Sequence, residues 1–560
     1  MYKKAAFAFT VVSSLFLSAS AQTTYLQLNQ EDYHLLDRLE TRSGMLSDDL
    51  FLTVKPVARK SAVSFLQEQR KDARITELSG VDRYDIAHAI SVSGEWALEE
   101  NGAIDSKKPI LKTFYKKQPD FIYVNTDNFF LSVNPIITAQ GMYEKDAPDS
   151  KLFSSSRGAE MRGLIAKKVG FYTMFTDNQE QMPSYGANWV DSFGAVPNVD
   201  FFTRHGNTFD YLRATGYIDF AAIKDHVNVT FGYDRHFLGD GMTSLFLSDF
   251  SAGAAFLRLN TKIWKLNYQN LYMELTPQFV RGSDRLLPHK YATMHHLSAN
   301  ITRWLNVGLF EGVIFDRRDR YEFSYLIPLI LYRQTERSLG SPDNVVLGFN
   351  FKALAAHHLQ FYGQLLLDEF TSKELFAGTG YWANKFGIQF GGKYFDAFTV
   401  KNLDLQGELN IVRPYTYTHY DSTANYTHYN QPLANPLGAG FAQLIGDIKY
   451  QPFNKLYIDV KGMYYQQGVD TANMNFGSNI FKDYDTRAMS YGVKLINGEK
   501  VQCASLGVNF AYELKENLFI DLGGSYRKYA YVDGKYPSQN STLLYLGFRL
   551  NFARRDYNFY

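Results

Sequence analysis

Alternating apolar and polar residues, a high aromatic content and an export signal together predict an all-β transmembrane protein, an outer-membrane antiparallel β-barrel. Mean hydropathy is −0.27, as in a soluble chain, yet the 560 residues include 40 Tyr and 44 Phe. A barrel reconciles these values because its strands are apolar on one face only and its rims carry aromatic girdles. After the first residues no run is long and apolar enough for a spanning helix, which excludes an α-helical membrane protein.

Residues 1–21 have the pattern of a secretory signal peptide. Two lysines precede an apolar run, and Ala19 and Ala21 frame a cleavage site, so Gln22 is the expected start of the exported protein. The run is shorter than the roughly 20 apolar residues of a membrane-spanning helix. Cys503 is the single cysteine of the sequence, so packing and backbone pairing, not a disulfide, are expected to hold the exported chain together.

Residues 22–125 are richer in charge and have helical periodicity. Leu36 and Leu39 share one face of a first predicted helix, and amphipathic stretches at 58–72 and 80–90 predict two more. We expect this domain to be a periplasmic α-helical bundle packed on the lower rim of the barrel. It does not resemble the β-rich plug of a TonB-dependent transporter.

Residues 126–560 carry the period of two that places successive side chains on opposite faces of a strand. The last strand is the clearest, because Leu544, Leu546 and Phe548 alternate with more polar or smaller residues over a tilted membrane crossing. Segments of this kind predict about 18 strands, an even number as in bacterial single-chain barrels. A soluble sandwich also alternates, but its strands are usually shorter.

The connections between these strands alternate between tight turns and long loops, as periplasmic turns and extracellular loops do in outer-membrane barrels. The stretch RPYTYTHYDSTANYTHYNQPLANPLG (413–438) is among the long ones and is therefore predicted to be extracellular. With 58 Lys and Arg against 57 Asp and Glu, the chain lacks the basic surplus of a general nucleic-acid binder.

Three blocks of the sequence resemble the Wzi capsule-assembly family, in its longer form that includes gliding-motility proteins of the RemB type. They are GYDRHFLGDGMTSLFLSDF and its continuation (232–275), FSYLIPLILYRQTERSLGSPDN (323–344) and RPYTYTHYDSTANYTHYNQPLANPLGAG (413–440). The resemblance covers the chain from about residue 23 onward, helices and barrel together.

The resemblance implies an outer-membrane, lectin-like protein that anchors or assembles capsular or extracellular polysaccharide at the cell surface and is not an enzyme. It implies no cofactor, and as partners polysaccharide, outer-membrane lipid and other envelope or motility components. Two alternatives stay open: a diffusion porin, and a barrel that serves surface adhesion or gliding motility.

Polysaccharide recognition requires aromatic rings for the apolar faces of sugars and charged or amide groups for their hydroxyls. The aromatic stretch offers both, and two arginines after a predicted strand suit the carboxylates of acidic sugars. The alternatives are that the rings pack the loop or form the outer girdle, and that the arginines belong to a solvated ion network. The candidate polysaccharide-binding residues are Arg413, Tyr415, Tyr417, His419, Tyr429, Asn430, Arg317 and Arg318.

A second set of residues is expected to line a constriction formed by a loop folded into the lumen, with Asp234 and Arg235 paired. Its D-x-G spacing lacks the ligand set of a calcium loop, so no metal site is expected. The neighbouring Asp368 and Glu369 point to opposite faces of an extended strand and do not make the facing carboxyls of a glycosidase. The candidate lumen residues are Asp234, Arg235, Asp240, Ser248, Asp249, Asp368 and Glu369.

Overall fold

The computed structural model describes residues 23–70, 78–97, 105–147, 149–277, 287–317, 320–328, 331–340 and 343–557. The predicted signal peptide (1–21) lies outside these residues. Over the described ranges, the helices are all too short or too polar to cross a bilayer.

Eighteen antiparallel strands close into a barrel, which confirms the predicted fold class and strand count. Each predicted segment falls on one of them. The ring closes where β18 pairs with β1, from Leu543 opposite Glu144 to Leu550 opposite Ile137. The strands are β1 Phe129–Glu144, β2 Lys151–Ile165, β3 Val169–Glu180, β4 Thr208–Ile223, β5 Val227–Asp234, β6 Ala254–Ile263, β7 Leu266–Leu275, β8 Lys290–Asn300, β9 Leu305–Phe315, β10 Asn344–Ala355, β11 Leu359–Glu369, β12 Lys385–Tyr394, β13 Leu403–Val412, β14 Phe441–Phe453, β15 Leu456–Val469, β16 Glu499–Lys515, β17 Leu518–Tyr531 and β18 Gln539–Leu550.

The side-chain pattern of the strands separates a lipid-facing wall from a lumen. In β18, Leu544, Leu546 and Phe548 are exposed on the outside, as their alternation predicts, while the hydroxyl of Tyr545 donates to Asn509 Oδ1 inside at 3.0 Å. Six short strands of the described residues are additional to the eighteen: Ile122–Asn125 pairs with β1, Thr203–His205 with β4, Val54–Lys55 with Phe237–Leu238, and Thr427–His428 with Gln431–Pro432.

Long loops lie at one end of the barrel and short turns at the other, as the topology requires. The loops, all at the end predicted to be extracellular, are L1 145–150, L2 181–207, L3 235–253, L4 276–289, L5 316–343, L6 370–384, L7 413–440, L8 470–498 and L9 532–538.

Within the part of the chain that the structure describes, three α-helices precede the barrel: α1 Asp32–Ser43, α2 Arg59–Gln69 and α3 Gly80–Val92. Ser79 and Asp82 form a capping box that starts α3. The helices share an apolar core that includes Leu36, Leu39 and Phe65, the face that the helical periodicity predicts. The described loop residues include three further α-helices: α4 Ser184–Phe193 in L2, α5 Tyr332–Leu339 in L5 and α6 Ser372–Phe376 in L6.

The helical bundle enters the lumen at the end of the short turns, deeper than the rim position predicted from the sequence. Lys352, which faces the lumen three residues before β10 ends, lies 3.0 Å from Asp37 and 2.6 Å from Glu40 of α1. Arg38 of α1 contacts Asp396 and Asp404 of the barrel, each at 2.5 Å. These buried charges are paired, as charges removed from water must be.

A titratable cluster joins α3 to the barrel wall. His88 Nε2 lies 3.1 Å from Glu513, which also accepts a hydrogen bond from Tyr84, and Asp85 accepts one from Gln451. Burial raises the pKa of Asp85 to about 7. Burial opposes the charged form of His88, but the carboxylate of Glu513 outweighs this effect and raises the pKa of His88 to about 9.

The segment after β18 turns back into the lumen, which the sequence did not predict. Arg555 lies 3.0 Å from Glu180 at the far end of β3, and the hydroxyl of Tyr557 donates to the same carboxylate at 2.7 Å. Asp556 lies 3.2 Å from Lys461. Residues 551–557 therefore run from the turn end of the barrel toward the loop end.

Candidate functional site

L3 folds into the lumen and is bonded to the walls of β11 and β13. Glu408 accepts hydrogen bonds from the backbone amides of Met242 (2.6 Å) and Thr243 (3.1 Å) and from the Thr243 hydroxyl (2.5 Å). Gln364 Oε1 accepts the amide of Leu245 at 2.8 Å. Hydrogen bonds that backbone amides donate to a carboxyl side chain are among the stronger ones, so we infer that Glu408 is the main anchor of L3. The predicted inward-folded loop is present.

The polypeptide that links α1 to α2 supports L3 from below. Val54–Lys55 forms a two-stranded sheet with Phe237–Leu238 of L3. The hydroxyl of Thr53 donates to Asp240, at 2.8 Å from Oδ2, and Lys352 lies 3.8 Å from the same carboxylate. Asp240 therefore joins L3 to the helical domain and to the wall.

Two tyrosines of L7 support L3 from above. The hydroxyl of Tyr417 donates to the carbonyl of Leu245 at 2.8 Å, and that of Tyr426 donates to the carbonyl of Phe246 at 2.6 Å. Their rings are stacked with centroids 5.4 Å apart, and both side chains are fully buried. These two rings hold L3 in the lumen and present no surface to the exterior.

Tyr415 and His419 of L7 are buried as well. Tyr415 donates to the carbonyl of Asn475 in L8 at 2.8 Å, and burial raises its pKa to about 12. Burial lowers the pKa of His419 below its ordinary value, so the ring is neutral. The expectation that Tyr415 and Tyr417 contact polysaccharide does not fit this burial; their visible role is to pack L7.

Tyr429 and Asn430 are half-buried, and they follow His428, whose ring is held by hydrogen bonds on both nitrogens. His428 Nδ1 accepts the amide of Thr276 and its Nε2 donates to the carbonyl of Gly253, both at 2.9 Å. Burial lowers the pKa of His428 to about 4, which keeps it neutral. Tyr429 and Asn430 keep partial exposure near the outer end of the barrel and stay candidate ligand contacts.

Arg235 does not form the predicted side-chain pair with Asp234. Its Nη1 donates to Asn198 Oδ1 at 2.6 Å and to the carbonyl of Asp249 at 2.9 Å, whereas Asp234 accepts the backbone amide of Arg235 at 2.7 Å. The carboxylate of Asp249 accepts a bond from Asn29 of the helical domain at 2.7 Å. Arg235 therefore ties L2 to L3.

Ser248, Asp368 and Glu369 attach loops to the barrel. Ser248 donates to the carbonyl of Ala434 in L7 at 2.6 Å, and Asp368 accepts the backbone amide of Tyr417 at 2.7 Å. Glu369 lies 3.0 Å from Lys385. The adjacent carboxylates have different partners, in agreement with the expectation that they do not face one another.

Arg317 is engaged within L5. Its guanidinium binds Asp343 through two parallel bonds of 2.7 and 2.6 Å, the geometry of a bidentate pair. Arg318 lies outside the described residues. Arg317 thus takes the structural role that the sequence left as an alternative to sugar binding.

The outer aromatic cluster is a group of rings contributed by L6, L7 and L8, and two of its tyrosines are exposed. Ring centroids lie 4.9 Å apart for Trp382 and Tyr484, 5.3 Å for Tyr381 and Tyr491, and 6.2 Å for Tyr420 and Tyr484. Tyr491 is 57% exposed and Tyr420 38%. The cluster comprises Tyr381, Trp382, Tyr420, Tyr484 and Tyr491.

Three cations lie within or beside this cluster. Lys385 Nζ is 4.2 Å from the centroid of the Tyr484 ring, and the Arg487 guanidinium is 4.3 Å from that of Trp382, both cation–π geometries. Arg413 Nη2 lies 3.4 Å from the carbonyl of Tyr381. Three of the predicted polysaccharide-binding residues contact the cluster: Arg413, Tyr415, whose ring lies 5.9 Å from that of Trp382, and His419, whose ring lies 4.4 Å from that of Tyr420.

The sequence analysis missed the rings from L6 and L8, although a signal existed. Tyr381 and Trp382 lie in one predicted long loop, and Tyr484, Arg487 and Tyr491 lie in another. The same combination of aromatic and basic residues that marked L7 marks these loops too. Their meeting in space depends on the order of strands around the barrel.

Comparisons with known proteins place the fold in a class. No protein-family model matches the sequence, and no curated protein matches it. Among solved structures, the fold is similar to Wzi of Escherichia coli, described as an outer-membrane carbohydrate-binding β-barrel involved in group 1 capsule assembly, with a TM-score of 0.55 over 95% of this chain and 100% of that one at 11% identity. OprD of Pseudomonas aeruginosa matches 75% of this chain and 95% of its own with a TM-score of 0.42 at 12% identity.

The chain therefore has the fold of an outer-membrane β-barrel. More narrowly, that fold is Wzi-like over almost the whole chain. An identity of 11% identifies the fold alone, so membership of the Wzi family and of its RemB-type branch stays a prediction from the three sequence blocks.

Proposed function

We propose that this protein is an outer-membrane, lectin-like barrel that binds extracellular polysaccharide at the outer aromatic cluster and retains it at the cell surface. The observation that carries the proposal is the association of exposed rings with cations at the loop end of a barrel whose lumen is crossed by L3. Exposed rings accept the apolar faces of sugars, and neighbouring guanidinium groups orient hydroxyls or carboxylates.

Within the cluster, the exposure of each ring suggests its role. Tyr420 and Tyr491 are the most exposed and would stack on sugar residues. Trp382 is buried beneath Arg487 and packs on Tyr415 at 5.9 Å, so it supports the cluster from inside. Arg487 and Arg413 are the expected partners for acidic sugars, because a guanidinium matches a carboxylate in two parallel bonds.

The likeness to Wzi of Escherichia coli supports the same proposal, since that barrel is described as carbohydrate-binding. We propose no catalytic step and no cofactor.

Binding of purified protein to immobilised polysaccharides, one rich in uronic acid and one neutral, tests the proposal. Replacing Tyr420 and Tyr491 together with Ala should weaken binding about tenfold, from roughly 0.5–1.5 kcal/mol for each lost ring contact. Phe376→Ala is the matched control, because Phe376 is an exposed ring of L6 outside the cluster. Arg487→Gln should weaken binding of the acidic polymer selectively. Absence of binding by the unaltered protein, or equal binding by the double variant, would refute the proposal.

A cellular measurement distinguishes retention from the alternatives. Cells that lack the protein should release polysaccharide into the medium while producing a normal amount. If surface polysaccharide is unchanged but attachment or spreading is lost, the adhesion or motility alternative replaces this proposal.

A further inference from the structure

The lipid-facing wall of β9 carries an acidic residue at membrane depth. Side chains alternate along a strand, so Glu311 faces the same side as Leu309, yet Leu309 is 50% exposed and Glu311 1%. Strand pairing places His295 of β8 opposite Glu311, on the same outer wall, and His295 is also buried. Uncovered carboxyl and imidazole groups in hydrocarbon would be destabilising.

L5 covers this polar patch from outside the barrel. Tyr325 packs on Phe315 with ring centroids 4.8 Å apart, and Tyr332 packs on His295 at 4.4 Å. The hydroxyl of Tyr272, on the outer face of β7, donates to the carbonyl of Leu326 at 3.2 Å. L5 therefore folds back along the wall instead of extending away from the membrane.

The wall supplies hydrogen-bond partners to the irregular backbone of L5. Glu311 accepts the amides of Leu331 (2.8 Å) and Arg333 (3.3 Å). With His295 in its Nε2–H tautomer, the ring donates to the Tyr332 hydroxyl at 2.6 Å, which in turn donates to the carbonyl of Ile327 at 2.6 Å. Non-helical backbone is tolerated at membrane depth only where protein groups satisfy it in this way.

Before α5, L5 exposes apolar side chains, whereas α5 itself exposes Arg333, Gln334 and Arg337. Phe323 is 80% exposed and Leu331 73%, and Ile327 lies exposed between them in the chain. Leu331 is tied to Glu311, which pairs with Leu347 on the lipid-facing side of β10. Leu331 therefore lies near the level of Leu347, whose side chain is exposed on the outer wall, and it continues the apolar surface of the barrel.

We propose that L5 inserts into the membrane through residues 323–328 and Leu331, whose exposed apolar side chains bind the acyl chains of the outer leaflet while the polar patch of the wall holds the backbone. The partner is a lipid surface, and the inference does not depend on polysaccharide binding. It explains why an acidic residue interrupts the apolar face of β9.

Lipid-depth quenching tests this placement. An environment-sensitive fluorophore is attached at Phe323→Cys or Leu331→Cys, and at two references, Leu309→Cys on the wall and Phe376→Cys in L6. The native chain gives the labelling background, because its Cys503 is buried. Each labelled protein is reconstituted in phosphatidylcholine vesicles with a nitroxide on the acyl chains, or with aqueous iodide.

Probes at positions 323 and 331 should be quenched by the acyl nitroxide as strongly as the probe at 309 and should be protected from iodide. The probe at position 376 should be quenched by aqueous iodide and only weakly by the acyl nitroxide. If the L5 probes follow the probe at 376, the proposal is overturned.

A second variant tests the role of the wall. Glu311→Ala should release L5, so that the probe at 331 loses nitroxide quenching and becomes accessible to iodide, while Leu309→Ala should leave both unchanged. Mobility of the unheated protein on a denaturing gel reports whether the barrel stays folded. Unchanged quenching in a folded Glu311→Ala protein would contradict the proposal.

Discussion

Replacing Glu408 with Ala should release L3 from the lumen wall and raise the ion conductance of the barrel. Glu408 is the buried acceptor of two backbone amides and of the hydroxyls of Thr243 and Tyr362. Each buried donor left without a partner is destabilising by about 1–3 kcal/mol. Two unpaired amides therefore shift the balance between the inward and the released L3 by about 3 kcal/mol, or about 100-fold.

Single-channel recording in planar bilayers measures this shift. The unaltered protein should remain mostly closed, whereas Glu408→Ala should show frequent openings. Glu499→Ala is the matched control, because Glu499 lies at the loop end of β16 and pairs with Lys535 of L9, away from L3. Steady, large conductance of the unaltered protein would refute the closed lumen and favour the diffusion-porin alternative, and a closed Glu408→Ala protein would refute the role of that carboxylate.

Three further outcomes are expected. Tyr417→Phe removes the hydroxyl that donates to L3 and should destabilise the folded barrel by about 1–2 kcal/mol, measured by urea unfolding in detergent. Asp85 and His88 have folded-state pKa values of about 7 and about 9, both above their unfolded values. Their stabilisation of the docked bundle is therefore complete at low pH and is lost as the pH rises through 7 and then 9. Protease cleavage of the bundle should accelerate over that pH range, and a constant cleavage rate would contradict this prediction. Tyr557→Phe removes a hydroxyl that donates to the buried Glu180, so amide hydrogen exchange should become faster in the segment after β18 but not in α1. Equal exchange in the unaltered protein and the variant would show that this hydrogen bond does not hold the segment.

The barrel could be predicted because lipid imposes a local rule on sequence. Lipid-facing residues such as Leu544 and Leu546 must alternate with lumen-facing side chains in every strand that crosses the membrane. The number of strands and the alternation of turns and loops can therefore be predicted from the sequence alone. The helices of the N-terminal domain could also be predicted from a local pattern, the helical spacing of apolar residues such as Leu36 and Leu39. No local sequence pattern specifies how deeply the helical bundle enters the barrel, because the ion pairs that hold α1 in the lumen join residues far apart in the chain.

The binding site was less predictable because the same side chain, tyrosine, suits both sugar binding and the packing of a buried loop. A tyrosine suits a sugar face, and it also suits a buried position where its hydroxyl meets a carbonyl, as Tyr426 does with Phe246. Composition cannot separate these roles, whereas burial does. A readable signal was missed in β9, where Glu311 falls on the lipid-facing register between Leu309 and Val313 and requires a cover.

L7 connects the lumen to the outer surface, and this decides which substitutions test binding. Tyr417 holds L3 from above, while Tyr415 is bonded to Asn475 of L8 and packs edge-on against Trp382 of the outer aromatic cluster. A change in either tyrosine therefore disturbs the arrangement of the loops even if neither ring meets a ligand, and weaker binding in such a variant would not identify a contact. Tyr491 has more than half of its surface free and no described hydrogen bond to the loops beneath it, so its loss reports on ligand contact directly.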